Sequence, residues 1–217
     1  MLDIKYKLMR IDILTIFPEM FEGVFKTSII GRATGTNLVD IKVHNLRDWS
    51  DDNYKSVDDR PYGGGAGMVM RIDVVDRAIS ALKTENTKVI LMDTKGKKYS
   101  QGEAEKLKSE SHLILIAPHF EGIDHRVQEH LADEVYTIGE YVLSGGELPV
   151  MVVVDSIIRL LPGALGNPES LNEESYSPEF DVEYPQYTRP QDYKGWKVPD
   201  ILLSGDHKKI SDWRKGK

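Results

Sequence analysis

The stretch Thr137-Ile138-Gly139-Glu140-Tyr141-Val142-Leu143-Ser144-Gly145-Gly146-Glu147-Leu148-Pro149 packs three glycines, a serine and two carboxylates between a strand-like apolar run and a long apolar segment. Glycines let the chain take positive φ, and they let a ligand reach bare backbone amides and carbonyls. The pattern therefore suits a strand that stops, a loop that approaches a ligand, and a helix that starts. It equally suits a plain strand-to-helix connection in which the glycines serve tight turning. Neither common nucleotide signature is present, neither the P-loop nor the Gly-x-Gly-x-x-Gly fingerprint. Ser144 and Glu147 have capping-box spacing, which would start the helix just after Ser144. Pro149 prefers a first helical turn, which would start it a few residues later.

Two further loops carry chemistry-bearing residues. Asp58-Asp59-Arg60-Pro61-Tyr62-Gly63-Gly64-Gly65-Ala66-Gly67-Met68 holds four glycines in five positions, between a stiff Pro-Tyr end and an apolar anchor. That composition suits a shaped, ligand-facing loop. Pro118-His119-Phe120-Glu121-Gly122-Ile123-Asp124 sets a carboxylate beside a glycine. Asp155 and Arg159 lie four apart and share a helix face, the spacing of an intrahelical ion pair. The six histidines are scattered. None has the i, i+4 spacing of a helical zinc pair, and they read as surface or core histidines.

These residues need elements to hold them. Ile11 to Phe17 reads as a buried strand stopped by Pro18, followed by a short helix through Phe25. Val39 to Val43 is a second strand, and 47–60 is acidic and irregular. Asp73 is expected to cap a helix through Leu82. Val89 to Met92 is a strand, with a turn at Gly96. Ser100 and Glu103 form another capping-box pattern, for a helix to about Ser109. Leu113 to Ala117 is a strand, Asp124 to Leu131 a helix, and Val135 to Ile138 a strand. The helix after it ends at Pro162-Gly163. Strands alternating with helices argue an α/β fold with a largely parallel sheet. Ligands bind such sheets at the carboxyl ends of the strands, so one ligand is expected to touch the loops after Met92, Ala117 and Ile138. From Gly166 to Pro190 apolar periodicity is lost, as in a linker or a lid.

With 217 residues, 40% hydrophobic and 29% charged, the chain has the size and composition of a soluble globular protein. It has no cysteine, which excludes disulfides, cysteine nucleophiles and thiolate metal sites. The N-terminus lacks the apolar core of a signal peptide. The most apolar run, Leu148 to Leu161, is too short for a membrane span and is interrupted by charge. Cytoplasmic localisation, with no membrane partner, is expected. From Arg189 to Lys217 eight basic residues face four acidic ones, so this tail is +4 in a chain of net charge −7. Tyr193, Trp196 and Trp213 are interleaved with that charge, which suits a tail that meets phosphate.

Several of these motifs, in this order, resemble the bacterial tRNA (guanine-N1)-methyltransferase family, TrmD. They are Phe17-Pro18-Glu19-Met20-Phe21, the Asp58 to Met68 loop, Glu121-Gly122-Ile123-Asp124, the Ile138 to Pro149 stretch, Tyr187-Thr188-Arg189-Pro190 and Val198-Pro199-Asp200-Ile201-Leu202-Leu203-Ser204-Gly205-Asp206-His207. The resemblance runs from about Met9 to Arg214. It implies a SPOUT-class α/β domain with helices on both faces of the sheet and a deep trefoil knot, plus a small, mostly helical C-terminal domain. It also implies a homodimer whose active sites are shared between subunits. The implied reaction moves a methyl group from S-adenosylmethionine to N1 of guanosine 37 in tRNA, with Mg²⁺ assisting. The implied organisation is a cofactor-binding domain over 1–165, a linker or lid over 166–188, and a basic tRNA-binding domain over 189–217.

Carried over by position, the cofactor would contact Met92, Pro118, Phe120, Glu121, Gly122, Ile138, Gly139, Glu140, Tyr141, Val142, Leu143, Gly145, Gly146 and Pro149. Arg159 matches the family's catalytic arginine, Glu174 its catalytic aspartate, and Glu121 the carboxylate linked with Mg²⁺. Three positions depart from the family pattern. Glu174 is one methylene longer than the usual aspartate, with Glu173 adjacent to it; Pro118 replaces a glycine; and Glu140 replaces an aspartate. Two rival readings are a knotted RNA methyltransferase with another target nucleotide, and a catalytically weakened RNA-binding module that still binds the cofactor.

Overall fold

A computed structural model describes residues 8–167, 174–177 and 182–215. The first strand, β1 (Met9–Thr15), is followed by a 3₁₀ turn at Pro18–Phe21 and the short helices α1 (Glu22–Phe25) and α2 (Ser28–Gly35). Then come β2 (Val39–Asn45), a two-stranded ribbon of β3 (Asp58–Asp59) and β4 (Val69–Met70), and α3 (Ile72–Leu82). They are followed by β5 (Thr87–Lys98), α4 (Gln101–Leu107), β6 (His112–Ile116), α5 (His125–His130), β7 (Glu134–Thr137) and α6 (Glu147–Ile158).

The main sheet has the order β2-β1-β6-β5-β7, and all its pairings are parallel. Its side chains alternate between two cores. Met9, Ile11 and Ile13 of β1, with Leu113 and Leu115 of β6, pack with residues of α2, α4 and α6. Leu14, Ile114 and Ile116 pack with residues of α3 and α5. Helices therefore cover both faces, and β6, whose residues are buried throughout, reads as a continuous apolar run after His112.

One charge sits inside this sheet. Asp12 is fully buried on the α3 side. Its carboxylate lies 2.6 Å from His44 Nε2, 2.7 Å from His112 Nε2 and 2.6 Å from Arg10 Nε. His112 Nδ1 is 2.6 Å from the Thr87 hydroxyl. The Asp12 carboxylate only accepts, so His112 presents Nε2–H to it, and Thr87 Oγ1 also accepts from the Thr84 amide. Burial alone would raise the Asp12 pKa, but the hydrogen bonds from His44, Arg10 and His112 outweigh it and bring it down to about 2.

The chain divides into two compact units, Met1–Gly166 and Asn167–Lys217. The second contains the hairpin of β8 (Asp192–Tyr193) and β9 (Trp196–Lys197), then α7 (Asp200–Leu203) and α8 (His207–Arg214). Lys194 and Gly195 both take positive φ, as a two-residue hairpin turn demands. Asp206 caps α8 by accepting from the Lys209 amide. Tyr187 packs near Trp213, and the Arg214 guanidinium lies 4.5 Å from the centre of the Tyr184 ring.

Local details depart from the sequence expectations. Ser100 is the N-cap of α4 without a side-chain cap bond; the Glu103 amide bonds the Ser100 carbonyl instead, and the Glu103 side chain turns to Lys97, Lys106 and the Tyr136 hydroxyl. Arg71, not Asp73, is the N-cap of α3; Asp73 lies in its first turn and pairs with Arg71 and Arg77. β5 does not end at Met92 but runs on to Lys98.

Candidate active site

The ends of two strands and an irregular stretch within a third meet at one cavity of about 250 Å³. β5 contributes Met92, β6 runs into the 118–122 loop, and β7 runs into Ile138 and Gly139. The pairing of β5 with β7 slips in register between Met92 and Lys97, and this irregular segment brings Asp93 and Thr94 to the cavity. Gly96 returns the strand to β7 so closely that a Cβ there would lie 2.6 Å from the Tyr136 backbone.

The 118–122 loop is fastened from behind. Its His119 amide points at Met70 Sδ, its Glu121 amide donates to Met68 O, and Met70 N donates to Gly122 O. Phe120 and Gly122 take positive φ, which turns the loop at the cavity. The glycine-rich loop does not itself line the cavity. Gly67 instead lies so near Glu121 that a Cβ would meet its Oε1 at 2.4 Å, so this loop sets the position of the Glu121 carboxylate.

The 139–146 loop forms the opposite wall. Thr137 Oγ1 donates to Gly139 O and accepts from the Gly139 amide, folding the loop back at its start. Gly146 N donates to Pro118 O at 2.6 Å, which closes the two loops on each other. A Cβ on Gly146 would meet Ala117 Cα at 2.8 Å. Tyr141, Val142 and Leu143 leave an exposed apolar lip.

α6 begins at Glu147, with Gly146 as N-cap and Pro149 in its first turn. The Ser144–Glu147 capping box does not form. Glu147 is buried and turns inward: its Oε1 accepts from Thr15 Oγ1 at 2.9 Å, and its Oε2 is 3.4 Å from His119 Nδ1. Gly145 makes room for this contact, since a Cβ there would lie 2.3 Å from both the Glu147 carboxylate and the His119 ring.

The cavity is lined by Met92, Pro118, Phe120, Glu121, Gly122, Ile138, Gly139, Tyr141, Val142, Leu143, Gly145, Gly146 and Pro149. Glu140 is exposed and lies outside this lining. Asp93, Thr94, His119, Tyr136, Thr137 and Ser144 line it as well. His119, grouped in the sequence with scattered surface or core histidines, is thus a wall residue; the signal was its place at a strand end beside Glu121.

Arg159 is the C-cap of α6, and its amide donates to Asp155 O. Glu174 belongs to the second unit, where its carbonyl accepts from the Ser177 amide and Tyr176 takes positive φ. Glu173 lies outside the described residues. Among the described residues no group of three or more histidine or acidic side chains stands together as a metal cage. No helix among them is long and apolar enough to cross a membrane.

A cavity at parallel-strand ends, walled in part by Gly139, Gly145 and Gly146, which have no room for a Cβ, can hold a ligand against backbone groups. The model of the family described as tRNA (Guanine-1)-methyltransferase TrmD matches residues 9–217. The chain belongs to this family. A tRNA (guanine-N(1)-)-methyltransferase of Dictyoglomus turgidum is 52% identical over 208 residues, covering 96% of this chain and 84% of the relative. One of Brevibacillus brevis is 53% identical over 207 residues, covering 95% and 85%. One of Geobacillus kaustophilus is 49% identical over 209 residues, again covering 95% and 85%. The TrmD match spans both compact units, so the cavity and the basic second unit belong to one family architecture.

Proposed function

We propose that this chain methylates N1 of guanosine 37 in tRNA, using S-adenosylmethionine. The observation that carries this reading is the convergence of the β6 and β7 ends and the irregular middle of β5 on one glycine-walled cavity, in a chain matched to this family over residues 9–217. The cavity suits the cofactor: the Tyr141–Leu143 lip offers apolar surface to a flat ring, and the glycine backbone and Glu121 offer polar groups to the rest. Bound there, S-adenosylmethionine supplies a methyl group on a positively charged sulfur and leaves as the neutral thioether.

The protein's own residues prepare the acceptor. Guanine N1 carries a proton and is a weak nucleophile until that proton leaves. Glu174 takes the N1 proton on its carboxylate as general base. Arg159 offers a fixed positive charge to the O6 on which negative charge then develops. Mg²⁺ commonly uses one or two protein carboxylates, with water and substrate oxygens filling the other positions. Glu121 and Asp93 are the acidic side chains on the cavity wall, with Glu121 as the expected ligand.

The family's trefoil knot, a dimer with active sites shared between subunits, and a cytoplasmic location complete this reading. Residues 166–188, of which 168–173 and 178–181 lie outside the described residues, serve as a linker or lid. Residues 189–217 grip tRNA with their basic and aromatic side chains.

Transfer of labelled methyl groups into unmodified tRNA transcripts tests the function. Transcripts with guanosine or adenosine at position 37 are compared, using wild type, Glu174→Gln, Glu173→Gln and Arg159→Ala. Labelling of the guanosine transcript alone, abolished by Glu174→Gln and Arg159→Ala but not by Glu173→Gln, is expected. Cofactor binding without any transfer by wild type would reject this reading in favour of an RNA-binding module.

A further inference from the structure

We propose that Thr15, Glu147 and His119 form a positioning relay behind the cavity, in which the buried Glu147 carboxylate fixes the tautomer of His119 so that His119 Nε2 accepts a hydrogen bond from the bound cofactor. This rests on the reading of the cavity as the S-adenosylmethionine site.

Glu147 is 1% exposed, and the methyl-transfer chemistry described above gives it no task. A buried carboxylate is costly unless it is hydrogen-bonded. Among the described residues Glu147 has two side-chain partners, Thr15 and His119, and His119 lines the cavity. Thr15 Oγ1 accepts from the Phe17 amide at 3.0 Å, so its own proton is directed at Glu147 Oε1. Glu147 Oε2 then faces His119 Nδ1. A carboxylate accepts only, so Nδ1 must carry the proton.

The His119 ring is held in place as well as oriented. Phe17 packs edge-on against it at 4.8 Å and Phe120 at 5.5 Å. Its backbone amide is fastened to Met70 Sδ. With Nδ1 committed to Glu147, Nε2 is left without a hydrogen-bond partner among the described residues, and it is not shut away from solvent. His119 lines the cavity, so Nε2 is an acceptor available to an O–H or N–H of the ligand. The 3.4 Å contact is long, as such contacts often are before the ligand arrives. Carboxylates hydrogen-bonded to the far nitrogen of a metal-bound histidine fix its tautomer by the same logic.

Two variants separate the two ring nitrogens. Asparagine places a nitrogen near Nδ1 and nothing at Nε2, whereas glutamine places a polar atom near Nε2. Binding of S-adenosylhomocysteine by calorimetry is expected to weaken about tenfold in His119→Asn and to stay within about threefold of wild type in His119→Gln. Similar melting temperatures would show that both variants fold. Nitrogen-15 NMR of histidine-labelled protein without cofactor gives a second readout. His119, identified by its loss in His119→Gln, is expected as the Nδ1–H tautomer, and Glu147→Met is expected to release it to the Nε2–H form. An Nε2–H tautomer in wild type, or equal affinity in both His119 variants, would overturn the relay. Failure of wild type to bind S-adenosylhomocysteine would overturn the cofactor reading and the Nε2 contact with it, while the tautomer would still be read directly.

Discussion

Thr15 Oγ1 and Glu147 Oε1, 132 positions apart in sequence, meet at 2.9 Å inside the protein. The bond ties the end of β1 to the first residue of α6, beneath the cavity. Removing its donor leaves a buried carboxylate oxygen with one partner fewer. Thr15→Val keeps the shape and deletes only the hydroxyl, so it should destabilise the fold by about 1–3 kcal/mol. Urea titrations of wild type and Thr15→Val check this. An unchanged midpoint would mean that the bond contributes nothing.

Asp12 makes stability depend on acid in a defined window. Its carboxyl stands at about 2 in the folded protein, against an ordinary value near 3.8. A depressed carboxylate pKa adds stability that is fully present above the unfolded value and is lost as pH falls through the folded one. The difference corresponds to about 2 kcal/mol. His44, His112 and Arg10 face the carboxylate and are left without it in Asp12→Asn. The variant should be less stable at pH 7 by about 3 kcal/mol or more. The gap between the two proteins should narrow from about pH 5 towards pH 2. Denaturant unfolding at several pH values measures this, and a gap that does not change with pH would reject the assignment.

Much of the frame was legible because it is local. Parallel strands buried on both faces read as apolar runs, so β1, β6 and β7 fall close to their expected places. That the loops after β6 and β7 meet at one site followed from that frame alone, whereas Met92 reaches it from within β5, which has no end there. What escaped depends on distant partners. Ser144–Glu147 and Ser100–Glu103 have the spacing of capping boxes, but each glutamate has tertiary partners that outbid the helix end: Thr15 and His119 for Glu147, Lys97 and Tyr136 for Glu103. The polar continuation of β5 through Lys95-Gly96-Lys97 gives no strand signal, because its reason is the Tyr136 backbone alongside. His119 finds its carboxylate 28 residues later, a distance that helical spacing rules do not search.

Gly146 and Gly102 should respond oppositely to alanine. At Gly146 the new Cβ would lie 2.6–2.8 Å from Pro118 and the Ala117 backbone, and the loop that closes the cavity must shift. Gly146→Ala should weaken S-adenosylhomocysteine binding by about tenfold or more, a loss near 1.4 kcal/mol. Gly102 lies inside α4, and its nearest neighbour for a Cβ is Ser100 Oγ at 3.8 Å. Gly102→Ala should stabilise the protein by about 0.5–1 kcal/mol and leave binding unchanged. Calorimetric titration and thermal melts on the two variants check both halves. Wild-type affinity in Gly146→Ala would mean that the loop is not held as described.

The outer face of α6 bears on the proposed dimer. Leu148 and Val152 lie one helical turn apart and are about half exposed, although the rest of the helix is largely buried. Leu148 follows directly on the loop that walls the cavity, and Met20 and Val24 are exposed apolar residues on the elements before α2. Exposed apolar patches of this kind mark association surfaces. If a second copy covers this face, Val152→Glu buries an unpaired carboxylate at the contact, which should shift the protein to monomer at micromolar concentration. Methyl transfer should fall with it, because the proposed site needs both subunits. Light scattering coupled to size exclusion reads the mass of wild type and variant. A monomeric wild type, or a Val152→Glu variant that stays dimeric, would rule out this face as the interface.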